Sequence, residues 1–377
     1  MADVVHFGDL QVFTGATNYT CLLFLNKAGK KQCHFVKVAD LTAWRLNGES
    51  MEGKIPATKI TSSEWNFTVG KGVELFEKLS KMPVKLGDMA KRIAQGIRTS
   101  ANEVYVLDLV SENGKLIVAH SKQLDQDVKL ERKTVSLFLQ GREIKPYQIQ
   151  PSGKVVIIPY QVENGHSKLI VEKAMREEYP KTFAYLLENK TYLENRERGR
   201  MRGPNWYAYI YPKNIEIMKT SKILVPDIAD HASFALDEAG EYAFTSGYGI
   251  ILKSSLAESA KYILGLLNSK ALDFYLKSIS TMMRGGFFRY FTQFIEQFPI
   301  RPINFSNPTN KASHDKMVEL VERMLSLNKQ LPKAKTAHDK TILQRQIDAT
   351  DGQIDRLAYE LYGLTDEEIE IVEEKTK

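Results

Sequence analysis

From Arg196 to Pro212 the chain reads Arg-Glu-Arg-Gly-Arg-Met-Arg-Gly-Pro-Asn-Trp-Tyr-Ala-Tyr-Ile-Tyr-Pro, and no single helix accommodates it. Gly199, Gly203 and Pro204 each interrupt a helical run, glycine through its backbone freedom and proline through its missing amide hydrogen. The basic half is therefore expected as a loop. The aromatic half, Trp206, Tyr207, Tyr209 and Tyr211, is expected as the strand into which it leads. Arg196, Arg198, Arg200 and Arg202 supply guanidinium groups, which pair bidentately with phosphates and with guanine edges. Aromatic rings add stacking faces. The stretch alone leaves two readings open: contact with nucleic acid, or a solvated loop ahead of aromatics that fill a core.

A chain of 377 residues can hold two or three domains, each with a proper core. Hydrophobic residues at 43% and charged residues at 26% describe an ordinary globular protein rather than a disordered one. The formal charge of +6 and pI near 8.9 are compatible with a polyanionic partner without requiring one. No run of 18 apolar residues and no leader peptide is evident, which gives a cytoplasmic protein with no membrane partner as the expectation. Cys21 and Cys33 lie in apolar, strand-like runs, outside any Cys-x-x-Cys pair, and are expected reduced and buried, with no structural zinc.

Along the chain, Tyr19–Leu25 and Cys33–Val38 are predicted as two strands joined by a hairpin turn over Asn26–Lys31. They resemble the closing edge of a larger sheet. Asn47–Ser63 turns to Gly, Ser, Thr, Lys and Pro and reads as a linker, anchored by Trp65 and Phe67, before a short amphipathic helix at Val73–Met82. The middle alternates strands with helices. Val104–Val110 and Leu116–His120 flank Asn113-Gly114, a strong hairpin signal. Val155–Tyr160, Ile223–Ile228, Ser233–Asp237 and Tyr242–Leu252 are further strands. Leu169–Tyr179, Pro180–Asn195 and Ala257–Ser278 are expected helices, the last with a core-facing stripe of Ala260, Leu264, Leu267, Ala271, Phe274 and Tyr275. In the tail, two 3–4-spaced apolar patterns separated by Pro332 predict an antiparallel helical pair that ends at Gly363, followed by a short acidic helix.

Three more polar loops repeat the arginine, glycine and aromatic chemistry. These are Gln95–Ser100, with Arg98 and Thr99; Gln140–Lys145, with Arg142 and Lys145; and Arg284–Tyr290, with Phe288, Arg289 and Tyr290. Together with Arg196–Tyr207 they make the candidate nucleic-acid-binding set, provided that the fold brings them together. No phosphate-binding glycine loop, Gly-x-Ser-x-Gly or His-Glu-x-x-His motif occurs. Pro226-Asp227 could open a nuclease motif, but no Glu-x-Lys or Asp-x-Lys follows it on a neighbouring strand. His120 and His231 read as structural residues at strand ends.

Phe7-Gly8-Asp9, Val12-Phe13 and Ala16–Leu22 resemble the late strands of adenine-specific DNA methyltransferases of type IIG and related (BREX-like) restriction-modification enzymes. Lys91–Asn102, Gly141-Arg142-Glu143-Ile144-Lys145, Trp206-Tyr207 and Arg284-Gly285-Gly286 resemble the TaqI-like specificity domain that follows in those proteins. Gln344–Ile371, with Ala349-Thr350-Asp351 and Tyr359–Thr365, is similar to the helical end shared with specificity subunits. The resemblance implies an α+β fold. Residues 1–46 would be the last strands of a Rossmann-like methyltransferase fold, 47–83 a linker with a short helix, 84–304 a mixed-sheet target-recognition domain, and 305–377 a helical hairpin with an acidic tail. It also implies that Phe13 stacks on the extruded target adenine.

The family's S-adenosylmethionine loop and Asn-Pro-Pro-Tyr motif both precede the strands seen here, and neither occurs in this sequence. The expectation is therefore a module that recognises double-stranded DNA, with no catalytic or cofactor-binding residue of its own. S-adenosylmethionine and methyl transfer would belong to a methyltransferase half or subunit, and Met1 would be a start within a split, truncated or engineered gene. The alternatives are the methyltransferase or restriction enzyme itself, a nonspecific or RNA-binding module, and a structural docking subunit.

Overall fold

The computed structural model describes residues 1–60, 67 and 69–376; Trp65 lies outside them. The fold mixes helices with sheets in both parallel and antiparallel pairing.

The first sheet runs in the order Cys21–Phe24, Asp3–His6, Gln32–Lys37, Met51–Pro56. The expected hairpin between the second and third strands is absent. Asn26–Lys31 does turn, but Asp3–His6 lies between its flanking strands, antiparallel to one and parallel to the other. Apolar patterning shows that a run is a strand; it does not reveal its neighbour. The stretch read as a linker also holds a strand, Met51–Pro56, whose six residues pair with Gln32–Lys37. One face of this sheet buries Val4, Cys33, Phe35 and Ile55, and the other buries Val36 beside Phe7 and Val38. Cys33 is buried as expected, whereas Cys21 is exposed.

A six-stranded sheet follows in the order Tyr242–Phe244, Val135–Leu139, Lys154–Ile157, Val106–Asn113, Leu116–Ser121, Gln126–Glu131. Asn113-Gly114 makes the tight connection the sequence predicts, with Gly114 at φ 57°. A separate four-stranded antiparallel sheet runs Ala235–Asp237, Lys222–Pro226, Gly247–Leu252, Ala90–Gln95. The expected strand Tyr242–Leu252 is thus divided between two sheets. Ser246, at φ 53°, turns the chain from one to the other, a conformation that a β-branched residue would resist.

Two cores result. One packs the six-stranded sheet against Pro180–Glu188 and the aromatics Trp206, Tyr207 and Tyr209. The other packs the four-stranded sheet against helices Ala260–Asn268, Lys270–Ile279, Pro308–Gln330 and Ala337–Tyr362. The expected helix Ala257–Ser278 breaks at Ser269, whose ψ of 149° is extended. Of the expected stripe, Leu264, Leu267, Ala271, Phe274 and Tyr275 are buried, while Ala260, the first residue of its helix, is half-buried. Gly265 lets the Pro308–Gln330 helix approach closely, since a Cβ there would lie 2.5 Å from the Met317 sulfur.

Candidate nucleic-acid interface

Three strands of the four-stranded sheet meet at one edge, where Gln95 stands opposite Tyr248 and Pro226 opposite Gly247. The loops leaving that edge are stitched together by their backbones. Gly96 N–H donates to Gly247 O at 3.1 Å, Ile97 N–H to Phe244 O at 2.9 Å, and Asp227 N–H to Ser246 O at 3.1 Å. The Gln95–Ser100 and Gln140–Lys145 loops each open Gln-Gly, and both glycines have a steric reason here. A Cβ on Gly96 would sit 2.2 Å from Phe244 O, and one on Gly141 would sit 2.2 Å from Ser246 O. Only glycine admits such an approach. Arg98 and Arg142 are thereby anchored on neighbouring loops.

The Arg284–Tyr290 loop reaches the same edge by pairing. Strand Phe287–Arg289 lies between Ile228–Ala229 and Met282–Met283, placing Arg289 opposite Ile228. Tyr290 N–H donates to Asp227 O at 3.0 Å. The Arg289 guanidinium lies 5.1 Å over the Phe291 ring, and Phe291 meets Tyr248 at 6.1 Å between centroids. At the far end of this loop, Arg284 Nε donates to Asp9 O at 3.4 Å and its backbone N–H to the Tyr19 hydroxyl at 3.3 Å. Phe13, 61% exposed, belongs to the segment between those two partners.

On the other flank, Arg98 forms an isolated β-bridge with Tyr211. The Tyr211 hydroxyl donates to Glu197 Oε1 at 2.8 Å, and Arg200 Nη1 donates to Glu197 Oε2 at 3.1 Å. The Tyr211 hydrogen bond and then the Arg200 charge hold Glu197 below the usual carboxylate range. Arg202 Nη2 donates to Asn195 Oδ1 at 3.2 Å. The structure therefore links three of the four loops in one series, running from Arg200 and Tyr211 through Arg98, Tyr248 and Phe291 to Arg289 and Arg284, and the Gln140–Lys145 loop adjoins it where Gly141 approaches Ser246 O.

The Arg196–Pro212 segment itself departs from expectation. Its basic half opens with one kinked helical turn, Arg196–Gly199, in which Glu197 and Arg198 have φ of 45° and 61°. Its aromatic half forms no strand. Trp206, Tyr207, Ala208 and Tyr209 are all buried, so they cannot alternate between two faces. The Tyr207 hydroxyl donates to Ile170 O and the Tyr209 hydroxyl to Ile157 O, each at 2.6 Å.

Burial also removes several expected contacts from any surface. Arg196 is only 8% exposed and donates to four backbone carbonyls, those of Leu193, Thr99, Trp206 and Ala208. Thr99 is buried and donates to Asn102 Oδ1. Trp206, Tyr207, Phe288 and Tyr290 are core residues, Tyr290 with its hydroxyl 3.4 Å from Asp273 Oδ1. Arg98, Arg142, Lys145, Arg198, Arg200, Arg202 and Arg284 stay exposed, and Arg289 is half-buried. Sequence reading passed over Tyr248 and Phe291. The only signal for Tyr248 was its place between two glycines; a Cβ on either would clash, at Gly247 with Val225 O and at Gly249 with the Phe244 ring.

Among the described residues no group of three or more His, Cys, Asp or Glu side chains could hold a metal, and no helix is long and apolar enough to cross a membrane. Residues 136–300 match the family model of the TaqI-like C-terminal specificity domain. Three of the four arginine-bearing loops lie inside the match, while Arg98 and Phe13 lie before it. The chain is 26% identical over 394 residues to the type II restriction enzyme and methyltransferase RM.Eco57I of Escherichia coli, with 98% of this chain and 39% of that protein covered. It is 23% identical to the type II methyltransferase M.BstVI of Geobacillus stearothermophilus, covering 75% of this chain and 41% of the relative. It is 24% identical to the type II methyltransferase M.XhoI of Xanthomonas vasicola, covering 88% and 51%. The chain thus spans about half or less of these relatives' lengths.

Proposed function

We propose that this chain is the sequence-specific recognition module for double-stranded DNA in an adenine-N6 methylating restriction-modification system. The observation that carries the reading is the continuous arginine and aromatic series at the edge of a TaqI-like specificity domain. Exposed guanidinium groups on several loops can contact phosphates along a duplex while a subset reads guanine edges. Among the expected contacts, Arg98, Arg142, Lys145, Arg198, Arg200, Arg202, Arg284 and Arg289 remain available for this.

Methyl transfer is assigned to a methyltransferase half or subunit, because this sequence holds neither the Asn-Pro-Pro-Tyr motif nor a loop suited to S-adenosylmethionine. In the same reading the first sheet is the end of the Rossmann-like methyltransferase fold, extended past residue 46 by strand Met51–Pro56. The helices Pro308–Gln330 and Ala337–Tyr362 are the antiparallel pair that closes the specificity module. Phe13 is available to stack on the extruded adenine, and the system is placed in the cytoplasm.

Single alanine variants of Arg200, Arg202, Arg284 and Arg289 test the interface. Binding is measured by competition against a panel of duplexes at two salt concentrations. Loss of a phosphate contact is expected to weaken all duplexes alike and lower the salt slope by roughly 0.9. Loss of a guanine contact erodes preference at one base pair by about 1–3 kcal/mol. At least one variant of each kind is expected. Wild-type affinity, slope and preference in all four would place the DNA face elsewhere.

A further inference from the structure

Asp227 stands out within the basic series. Its backbone is clamped on both sides, N–H to Ser246 O at 3.1 Å and C=O from Tyr290 N–H at 3.0 Å. Its position is therefore fixed by the junction of the strand ends and does not depend on its side chain. The carboxylate is partly exposed and carries no hydrogen bond or ion pair among the described residues. No arginine of the series neutralises it, although Arg289 is paired with the next residue, Ile228, and Arg289 and Tyr248 both pack on Phe291. The Tyr248 hydroxyl feels both charges: burial and Asp227 push its pKa up, and Arg98 opposes them.

A bare carboxylate held on a polyanion-binding edge works against affinity, because it repels phosphate. Its chemistry does suit one feature of a duplex, since a carboxylate accepts a hydrogen bond from the exocyclic amine of cytosine in the major groove. Arginine cannot do this, having donors only. We infer that the Asp227 carboxylate is a base-reading group, accepting a hydrogen bond from cytosine N4 at one position of the recognised site, with the arginines of the series binding the duplex around it. The inference rests on the DNA-recognition reading above and adds to it a specificity-determining residue outside the arginine set.

The test uses the full chain and its Asp227→Asn variant, each selecting from a library of duplexes with a randomised 20-base-pair centre. Because the clamps are backbone contacts, the variant is expected to fold as the wild type does, which its unfolding curve checks. The variant should lose selection at one C·G pair by about five-fold or more, with the other positions unchanged. Its affinity for a nonspecific duplex at low salt should rise by about two-fold or more, as a repulsive charge has gone. A purely structural role for Asp227 would weaken all duplexes together and produce neither change. The inference is overturned if the wild type selects a motif and the variant selects the same motif equally well, or relaxes only at an A·T pair. A wild type with no preferred motif would overturn the recognition reading itself.

Discussion

Replacing Lys222 with alanine is expected to destabilise the chain by about 3–5 kcal/mol, because it leaves a carboxylate buried without its counter-charge. The Lys222 side chain is fully buried, and its ammonium donates to Asp237 Oδ2 at 2.6 Å, Met218 O at 2.9 Å and Thr220 O at 3.1 Å. Burial pushes its pKa down, and only the Asp237 partnership opposes that. Asp237 also accepts from the backbone N–H groups of Glu241 and Tyr242, so it ties strand Lys222–Pro226 to the turn that starts Tyr242–Phe244. Those two strands belong to different sheets. The Lys222→Met, Asp237→Leu double variant should lose much less than the sum of the single losses, since neither charge is then stranded. Urea unfolding of the four proteins measures this. Additive losses would show that the pair is not energetically coupled.

Arg196→Ala is the second large effect, and it separates architecture from recognition inside a single motif. The guanidinium sits 5.7 Å over the Tyr105 ring and satisfies carbonyls from three parts of the chain, at Thr99, Leu193 and the Trp206–Ala208 turn. Hydrogen bonds to a charged group contribute roughly 1.5–3 kcal/mol each, and buried carbonyls left unpaired add to the loss. A total of about 3 kcal/mol or more is expected on truncation. Lysine should recover less than half of it, because an ammonium cannot reproduce the planar fork. Alanine at the exposed Arg198 or Arg200 should change stability by about 0.5 kcal/mol or less. Denaturant midpoints for the four variants decide the matter. A mild effect at position 196 would return that arginine to the surface set.

How much of this was legible in the sequence depends on the kind of signal. Strong local chemistry carried over: Asn113-Gly114 makes its turn, and Gly363, in the left-handed conformation, ends the helix Ala337–Tyr362. Pairing order did not, because Asp3–His6 lies between two runs that looked like a hairpin. The Tyr242–Leu252 run has unbroken strand character, and nothing in residue type announces that Ser246 turns it into a second sheet. The candidate interface was half visible. Clustered arginines and glycines pointed to the right loops. Composition cannot say which side of a loop a residue faces, so Arg196, Trp206 and Tyr207 were grouped with residues that remain exposed. Tyr248, Phe291 and Asp227 carried no motif of their own, and only the convergence of strand ends brings them to the edge.

The proposed function requires the arginine and aromatic series to read a particular duplex sequence. The full chain, challenged with a library of duplexes carrying a randomised centre at near-physiological salt, tests it most directly. One short motif should be enriched over successive rounds, and its binding should exceed that of a scrambled duplex by at least about a thousand-fold. A flat library after selection, with equal affinity for scrambled duplex, single strand and RNA, would contradict it.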